Sequence, residues 1–329
     1  MSRHESGGTS RNEFLKQAAG ATIVVAGAAA GAGAVPQRAA AGTGIQRYFP
    51  SHFALELDGI RLGPLAAASG GDPRWDVVLP PVGSDNIQRK DIRNIRTFGD
   101  LTIQIGSAMG KPMYDWIQNS FDNKYSRKNG AIVAADYNFK ELTRLEFYDA
   151  LITEVTVPSL NGATSSAGTI IVKFSPGSVS NVPAAGNQMS RVKHKPFLTQ
   201  NFSVDIDGLD TSRVASIDSF TWKQRVSDDG SPPVTDAGDL GVVFDPASLP
   251  SWQQWYDNFA VGGDATDERS AQLTVAGAPG GGVLTVGLFN LGLHQLKDDW
   301  VNDPSGQNIR RVKAEMYCER ASWDLKTAK

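Results

Sequence analysis

The feature that most constrains this chain is that its pattern of strand and turn occurs twice. Phe53-Ala-Leu-Glu-Leu-Asp-Gly59-Ile60 returns as Phe202-Ser-Val-Asp-Ile-Asp-Gly208-Leu209. Each copy places an apolar residue at every second position and closes on Asp-Gly, as a strand with one buried face does when it runs into a tight turn. Gly99-Asp100-Leu101 is echoed by Gly238-Asp239-Leu240, and Met113-Tyr-Asp-Trp-Ile117 by Trp252-Gln-Gln-Trp-Tyr256. Phe147-Tyr-Asp-Ala-Leu151 then matches Phe289-Asn-Leu-Gly-Leu293 in the same relative place. Units of roughly a hundred residues repeated in this way imply two homologous domains, not a solenoid of small repeats.

A length of 329 residues accommodates two such domains, each large enough to bury a core without covalent staples. The single cysteine, Cys318, shares a face with Val312, Ala314 and Met316 in an alternating run and reads as a small core residue. A net charge of −3 excludes a generally basic nucleic-acid coat, though a local patch stays open. Abundant Gly and Pro, without long helical periodicity after the N-terminal region, predict strand-dominated domains.

The first forty residues follow different rules. Arg11-Asn12-Glu13-Phe14-Leu15-Lys16 precedes an uncharged, small-residue run from Ala18 to Val35, and Ala39-Ala40-Ala41 offers a small-x-small cleavage site. The arrangement is similar to a twin-arginine export signal, with Asn12 standing where the second arginine belongs. Two readings stay open for residues 1–41: a removable signal, or an N-terminal arm. A membrane-spanning helix gains little from a segment this rich in Gly and Ala.

After a short lead-in, the first domain is expected over 53–176. A Pro/Ser/Asn/Gly-rich stretch, with its boundaries at 177–195, has linker composition, and the second domain is expected over 196–326. Leu101-Thr-Ile-Gln-Ile105 alternates as a strand. Pro112 then opens a segment with Met113, Trp116, Ile117 and Phe121 at helical spacing, and Pro250 stands ahead of Trp252, Trp255, Tyr256 and Phe259 in the same way. Asn129–Ala135 and Arg269–Val275 each lead through a turn to another strand, at Tyr137-Asn138 and Ala278–Gly282 respectively. Thr169–Phe174 and Arg311–Glu319 close the two domains.

Residue patterns that carry chemistry are scarce. His52, His194 and His294 lack any zinc-ligand spacing. Gly106-Ser-Ala-Met-Gly110-Lys111 has three residues between its glycines where a phosphate loop needs four, and Pro112 stands where a magnesium-binding Ser or Thr belongs. Gly277–Gly282 reads as a flexible hairpin tip, and Asp298, Asp299, Asn302 and Asp303 as a solvated acidic turn. The basic runs Arg89–Arg96 and Lys124–Lys128 read as solvated loops, with contact to acidic neighbours or DNA as the alternative. No catalytic, cofactor-binding or metal-binding residue is assigned.

With the order of parts laid out, the passage from Gln88 to Phe174 resembles the tail tube protein family of contractile phages and related injection systems. The resemblance rests on the strand Phe53–Gly59, the basic loop around Arg89–Arg96, the strand Gly99–Ile105 and the helix Tyr114-Asp-Trp116-Ile117. It continues through Arg127-Lys-Asn-Gly-Ala-Ile-Val133 and Leu145-Glu-Phe-Tyr-Asp-Ala-Leu-Ile152. The second half follows more loosely, with Trp255-Tyr256 in place of the Asp-Trp pair and Ser227–Pro233 in place of the basic loop. The resemblance implies mainly β domains, of barrel or sandwich form with one short helix each, whose strands join between subunits into rings that stack as a tube. It implies no enzyme activity and no cofactor, a trimer of pseudo-sixfold symmetry as the self-assembled ring, and sheath, baseplate or lumen DNA as further partners. No membrane association of the mature form is expected. An export signal is discordant with assembly in the cytoplasm into a virion or injection particle. A secreted carbohydrate- or ligand-binding module, or a hydrolase, is the competing reading.

Since a Gly/Ala segment supplies so little apolar area, deletion of residues 1–41 is expected to leave unfolding free energy unchanged within about 0.5 kcal/mol. Denaturant titration of the two forms checks this, and mass spectrometry of native protein decides between signal and arm.

Overall fold

The computed structural model describes residues 52–82, 84–122, 124, 126–184, 186–225, 233–279, 281–299 and 310–326. The signal-like segment 1–41, the 227–232 part of the Ser227–Pro233 passage, and Asn302 and Asp303 lie outside them. Tyr48–Lys329 makes one compact unit, mainly β with two short helices.

In its first half the strands are β1 (His52–Leu57), β2 (Ile60–Leu65), β3 (Ala67–Gly70), β4 (Pro73–Val78), β5 (Asp91–Phe98) and β6 (Leu101–Ile105). Helix α1 (Lys111–Phe121) follows, then β7 (Lys128–Ala135), β8 (Glu141–Val157), β9 (Leu160–Asn161), β10 (Ala167–Gly168), β11 (Ile170–Ser175) and β12 (Ser178–Pro183). The second half comprises β13 (Phe197–Ile206), β14 (Val214–Ile217), β15 (Phe220–Arg225), β16 (Val234–Ala237), β17 (Leu240–Phe244) and α2 (Leu249–Tyr256). The π-helical turn Asp257–Val261 extends α2, and β18 (Arg269–Gly277), β19 (Val283–Asp299) and β20 (Arg311–Lys326) complete it.

Strand order in the first half runs β1-β7-β8-β11-β6-β3, and in the second β13-β18-β19-β20-β17-β14. Position by position these are the same connectivity, and local details coincide as well. The Asp58 amide donates to the Asn129 carbonyl at 2.8 Å, and the Asp207 amide to the Ser270 carbonyl at 3.0 Å. In β8 Asp149 takes a left-handed φ of 55°, and in β19 Asn290 takes 58°. Both are residue types that tolerate this region of backbone space. These two positions fix the register: Phe147 corresponds to Leu288, not to Phe289, so the correspondence read from the sequence is off by one residue here. Phe147 and Leu288 are the buried pair, whereas Tyr148 and Phe289 face outward.

Why the Pro-led helices form is plain from their ends. Each carries Pro in its first turn, where no amide donor is needed, and each buries tryptophan, Trp116 in α1 and both Trp252 and Trp255 in α2. Trp116 is 1% exposed and Trp255 0%. Their indole N–H groups donate to the carbonyls of Ser126 at 2.7 Å and Asp267 at 2.8 Å, which lead into β7 and β18. Trp116 lies 5.4 Å from Phe174, which is itself 4.9 Å from Phe147. In the second half Trp252 stacks on Phe244 at 4.5 Å and Trp255 follows at 6.5 Å. One apolar cluster runs through both halves, and Cys318 belongs to it, where burial pushes its thiol up to about 11.

Three expectations need correction. The 177–195 stretch is built in: β12 pairs with β8, Met189 is buried among Ala54, Ala131, Val133 and Ala135, and the Glu141 amide donates to the Asn187 carbonyl at 2.9 Å. The basic run Arg89–Arg96 is largely strand, since β5 pairs along β4. The glycine-rich tip around Gly277–Gly282 is docked, not free. The Gly282 amide donates to the Ser107 carbonyl at 3.0 Å, an approach that side chains at 277 and 281 would obstruct.

Replacing Trp116 or Trp255 by Ala removes a large buried side chain and strands the carbonyl it satisfies. Each substitution is expected to cost about 3 to 5 kcal/mol, measured by denaturant unfolding, and a cost below about 1 kcal/mol would place the indole outside the core.

Candidate functional site

An alternating strand that is not covered on both edges leaves a row of amides and carbonyls to be satisfied. Inside this chain one such edge is satisfied by the other half. β8 and β9 lie against β14 and β15 in one antiparallel ladder: Asn161 opposite Ser216, Leu160 opposite Ile217, Val157 opposite Phe220, Thr156 opposite Thr221, Val155 opposite Trp222 and Glu154 opposite Lys223. The Thr156 and Thr221 hydroxyls meet at 2.9 Å. Glu154 and Lys223 are opposed charges, the favourable arrangement for a directly paired position.

β14 and β15 are two parts of one bent course. β14 pairs with β17 of its own half, and β15 crosses over to β8. The two halves therefore share a single run of strands, β3-β6-β11-β8, then β14/β15, then β17-β20-β19. Side chains close the seam below the ladder. Trp222, 1% exposed, meets Phe121 of α1 edge-on at 6.3 Å, and Gln224 is 4% exposed. Helix α1 of the first half also packs on β20 of the second, where the Trp323 amide donates to the Gln118 side-chain oxygen. An open cleft of about 820 Å³, lined by Phe121, Trp222, Asn290 and Arg320 among others, runs along this seam.

β15 and β16 form a hairpin, and β4 and β5 form its counterpart in the first half. Equivalent closing bonds identify them: the Gly238 amide donates to the Thr221 carbonyl at 2.8 Å, and the Gly99 amide to the Asp72 carbonyl at 3.0 Å. Their surroundings differ. Trp75, which corresponds to Gln224, is 45% exposed, and Val77, Leu79, Val82, Ile87 and Ile92 along the same hairpin are exposed too. Several large apolar side chains exposed on one hairpin are uncommon on a surface that faces only water.

The residues singled out for chemistry are scattered. His52 stacks on Phe139 at 3.8 Å. His194 lies beside Gly106, and burial holds its basicity below the ordinary value. His294 sits 3.4 Å from Asp239, a pairing the sequence spacing did not reveal. Lys111 pairs with Asp115 one turn along α1, and Asp298 accepts from Arg310 at 2.9 Å, which holds its carboxyl below the usual range. Among the described residues no group of three or more His, Cys, Asp or Glu side chains is placed to hold a metal ion, and no helix is long and apolar enough to cross a membrane.

Trp222→Ala opens the seam between the halves and is expected to lower unfolding free energy by about 3 to 5 kcal/mol. Chemical denaturation followed by tryptophan fluorescence and by circular dichroism checks it, with the loss reported by both probes.

No curated protein matches the chain. Among solved structures, the cap of the anti-feeding prophage, described as its tube-terminating cap, is similar at 21% identity with a TM-score of 0.35, covering 45% of this chain and 97% of that chain. Residues 50–173, which hold β1 through β11 but for the last residues of that strand, match the family model of the T4-like virus tail tube protein gp19.

Proposed function

We propose that this protein is a structural subunit of a phage-tail-like tube, and that its two halves are duplicated tail-tube domains, 53–176 and 196–326, occupying neighbouring places in one ring. The observation that carries this reading is the ladder joining β8 and β9 to β14 and β15. It is a finished domain-to-domain contact made by strand addition, the kind of contact that a ring repeats around its axis. The family match over the first half supports the same role.

A ring of three copies follows from the arithmetic of the duplication. If single-domain subunits close with six, two-domain subunits close with three, giving a pseudo-sixfold trimer. The shared run of strands contributes eight strands per copy when β8/β9 and β14/β15 are each counted once. Three copies then supply roughly 24 strands, more than the 16–18 that leave an aqueous channel in porins. The polar face of this sheet carries ion pairs, Lys173 with Asp100 and Lys313 between Asp218 and Glu315, and the adjoining β15–β16 hairpin carries Arg225 with Asp236. Lined by such pairs, the channel is wet and nearly neutral. The role is assembly, without catalysis or cofactor, as part of a phage-tail-like particle.

Light scattering after size exclusion, together with negative-stain microscopy, tests the proposal. The expected result is a species of three chains that appears as rings and, at higher concentration, as stacked tubes. Persistent monomer at high concentration, with neither rings nor filaments, overturns it.

A further inference from the structure

Ser107 is the meeting point of three segments that are distant in sequence. Its amide donates to the Lys195 carbonyl at 2.8 Å, its hydroxyl reaches the carbonyls of Lys195 and Pro196 at 3.2 and 3.3 Å, and its own carbonyl accepts from the Gly282 amide at 3.0 Å. The Ala278 amide in turn donates to the Pro196 carbonyl at 3.1 Å. The loop after β6, the segment leading into β13 and the tip between β18 and β19 are thereby tied together, with Ser107 buried among them. We propose that His194 makes this joint sensitive to acid: the neutral imidazole lets it close, and protonation opens it. The device is independent of the proposed ring, since every group it uses lies in one chain.

His194 reaches the joint beside Gly106. A Cβ at position 106 would come within 2.6 Å of His194 Nε2 and 2.1 Å of the Lys195 carbonyl oxygen, so the imidazole and that carbonyl crowd the same glycine. Nε2 is buried there without a hydrogen-bond partner. A neutral imidazole tolerates this, because one of its nitrogens carries no hydrogen. The imidazolium makes both nitrogens donors and adds a charge that needs solvation. The carbonyl at hand, that of Lys195, already accepts from the Ser107 amide and hydroxyl. Protonated Nε2 therefore either stays buried and unpaired or draws that carbonyl away from Ser107, and each outcome weakens the joint.

The surroundings do not offset the charge. His194 also borders a cavity of about 430 Å³ whose described lining includes His52, Phe139, Met189 and Lys193 and no carboxylate. The segment that carries His194 adds Arg191 and Lys195. Carboxylates on the adjoining elements are engaged: Glu56 of β1 with Arg144, Glu141 of β8 with Arg61 of β2, and Asp136 with the amides of Asn138 and Lys140 in the turn that carries Phe139. Tyr114 of α1 donates its hydroxyl to the Gly106 carbonyl at 3.3 Å, and burial raises its pKa, so it stays neutral. Burial holds His194 below its ordinary 6.5. In acid the closed joint thus binds fewer protons than the opened one, so its stability is fully present above about pH 6.5 and is lost as pH falls toward the folded value. The ladder of β8 and β9 with β14 and β15 takes no part, so acid loosens the chain around His194, Ala278 and Gly282 while the halves stay joined.

Amide hydrogen exchange of the full chain, read at Ser107, Ala278 and Gly282 and corrected for the intrinsic pH dependence of exchange, tests this. Between about pH 7.5 and 5.5 the opening equilibrium is expected to rise several-fold, with a ceiling of about tenfold for one group that titrates at its ordinary value once opened. His194→Phe keeps a ring that cannot charge and is expected to flatten the profile, and His194→Gln is the second neutral variant. His52→Phe removes the other imidazole of the cavity and is expected to keep the rise. NMR titration of the His194 ring is expected to give a midpoint below about 6.5. A midpoint at or above that value, no rise in the unmodified protein, a rise that persists in both His194 variants, or one lost with His52 alone overturns the proposal.

Discussion

The ladder between β8–β9 and β14–β15 is the constraint on which the rest of this structure depends. Each half alone would leave a long strand edge unpaired and a hairpin projecting into water, with Phe220, Trp222 and Val155 uncovered. Pairing them satisfies the backbone groups of both edges and buries Trp222 against Phe121, worth on the order of 2 to 3 kcal/mol for one such aromatic side chain. It also makes a single apolar cluster of what would be two. The halves are therefore coupled in stability as well as in position, which is why residues from both contribute to one compact unit.

What could be read from the sequence was whatever local periodicity dictates. Alternating residues before Asp58-Gly59 and Asp207-Gly208 marked the first strand of each half, and the turn residues marked its end. Pro112 and Pro250 with tryptophans at helical spacing marked α1 and α2, and the alternating run through Cys318 marked the inward face of β20. The misreadings have physical causes. β12 contains Gly- and Ser-rich flanks and ends on Pro183, a composition that suits an edge strand as well as a linker. β5 interleaves arginines with isoleucines in its sequence, and with Ile92 exposed no clean alternation of apolar and polar residues announces the strand. Matching Phe147 with Phe289 followed residue identity, whereas the backbone at Asp149 and Asn290 decides which side chain turns inward.

The joint itself was not legible, because nothing local distinguishes an edge that will be covered from one that will not. Thr156 and Thr221 are both ordinary strand residues, and only the placement of β15 against β8 brings them together. The contact is also far apart in sequence, with Glu154 and Lys223 brought together from opposite halves, so it belongs to topology and not to propensity.

The two versions of this edge differ in a way that reflects what each must avoid. The internal one joins segments of the same chain at high effective concentration, and it can use Trp222, Phe220 and an uncharged threonine pair without risk of meeting the wrong partner. The course from β3 into β4 is the outer counterpart of that edge. There Pro73 withholds a donor, Asp72 and Arg74 place charge on the strand, and Gly70 and Gly71 hold left-handed φ values of 93° and 77° that bend its start. Charge, proline and distortion are the means by which edge strands avoid indiscriminate pairing. An edge so guarded resists indiscriminate pairing, whereas the edge at β8 is already occupied by β15.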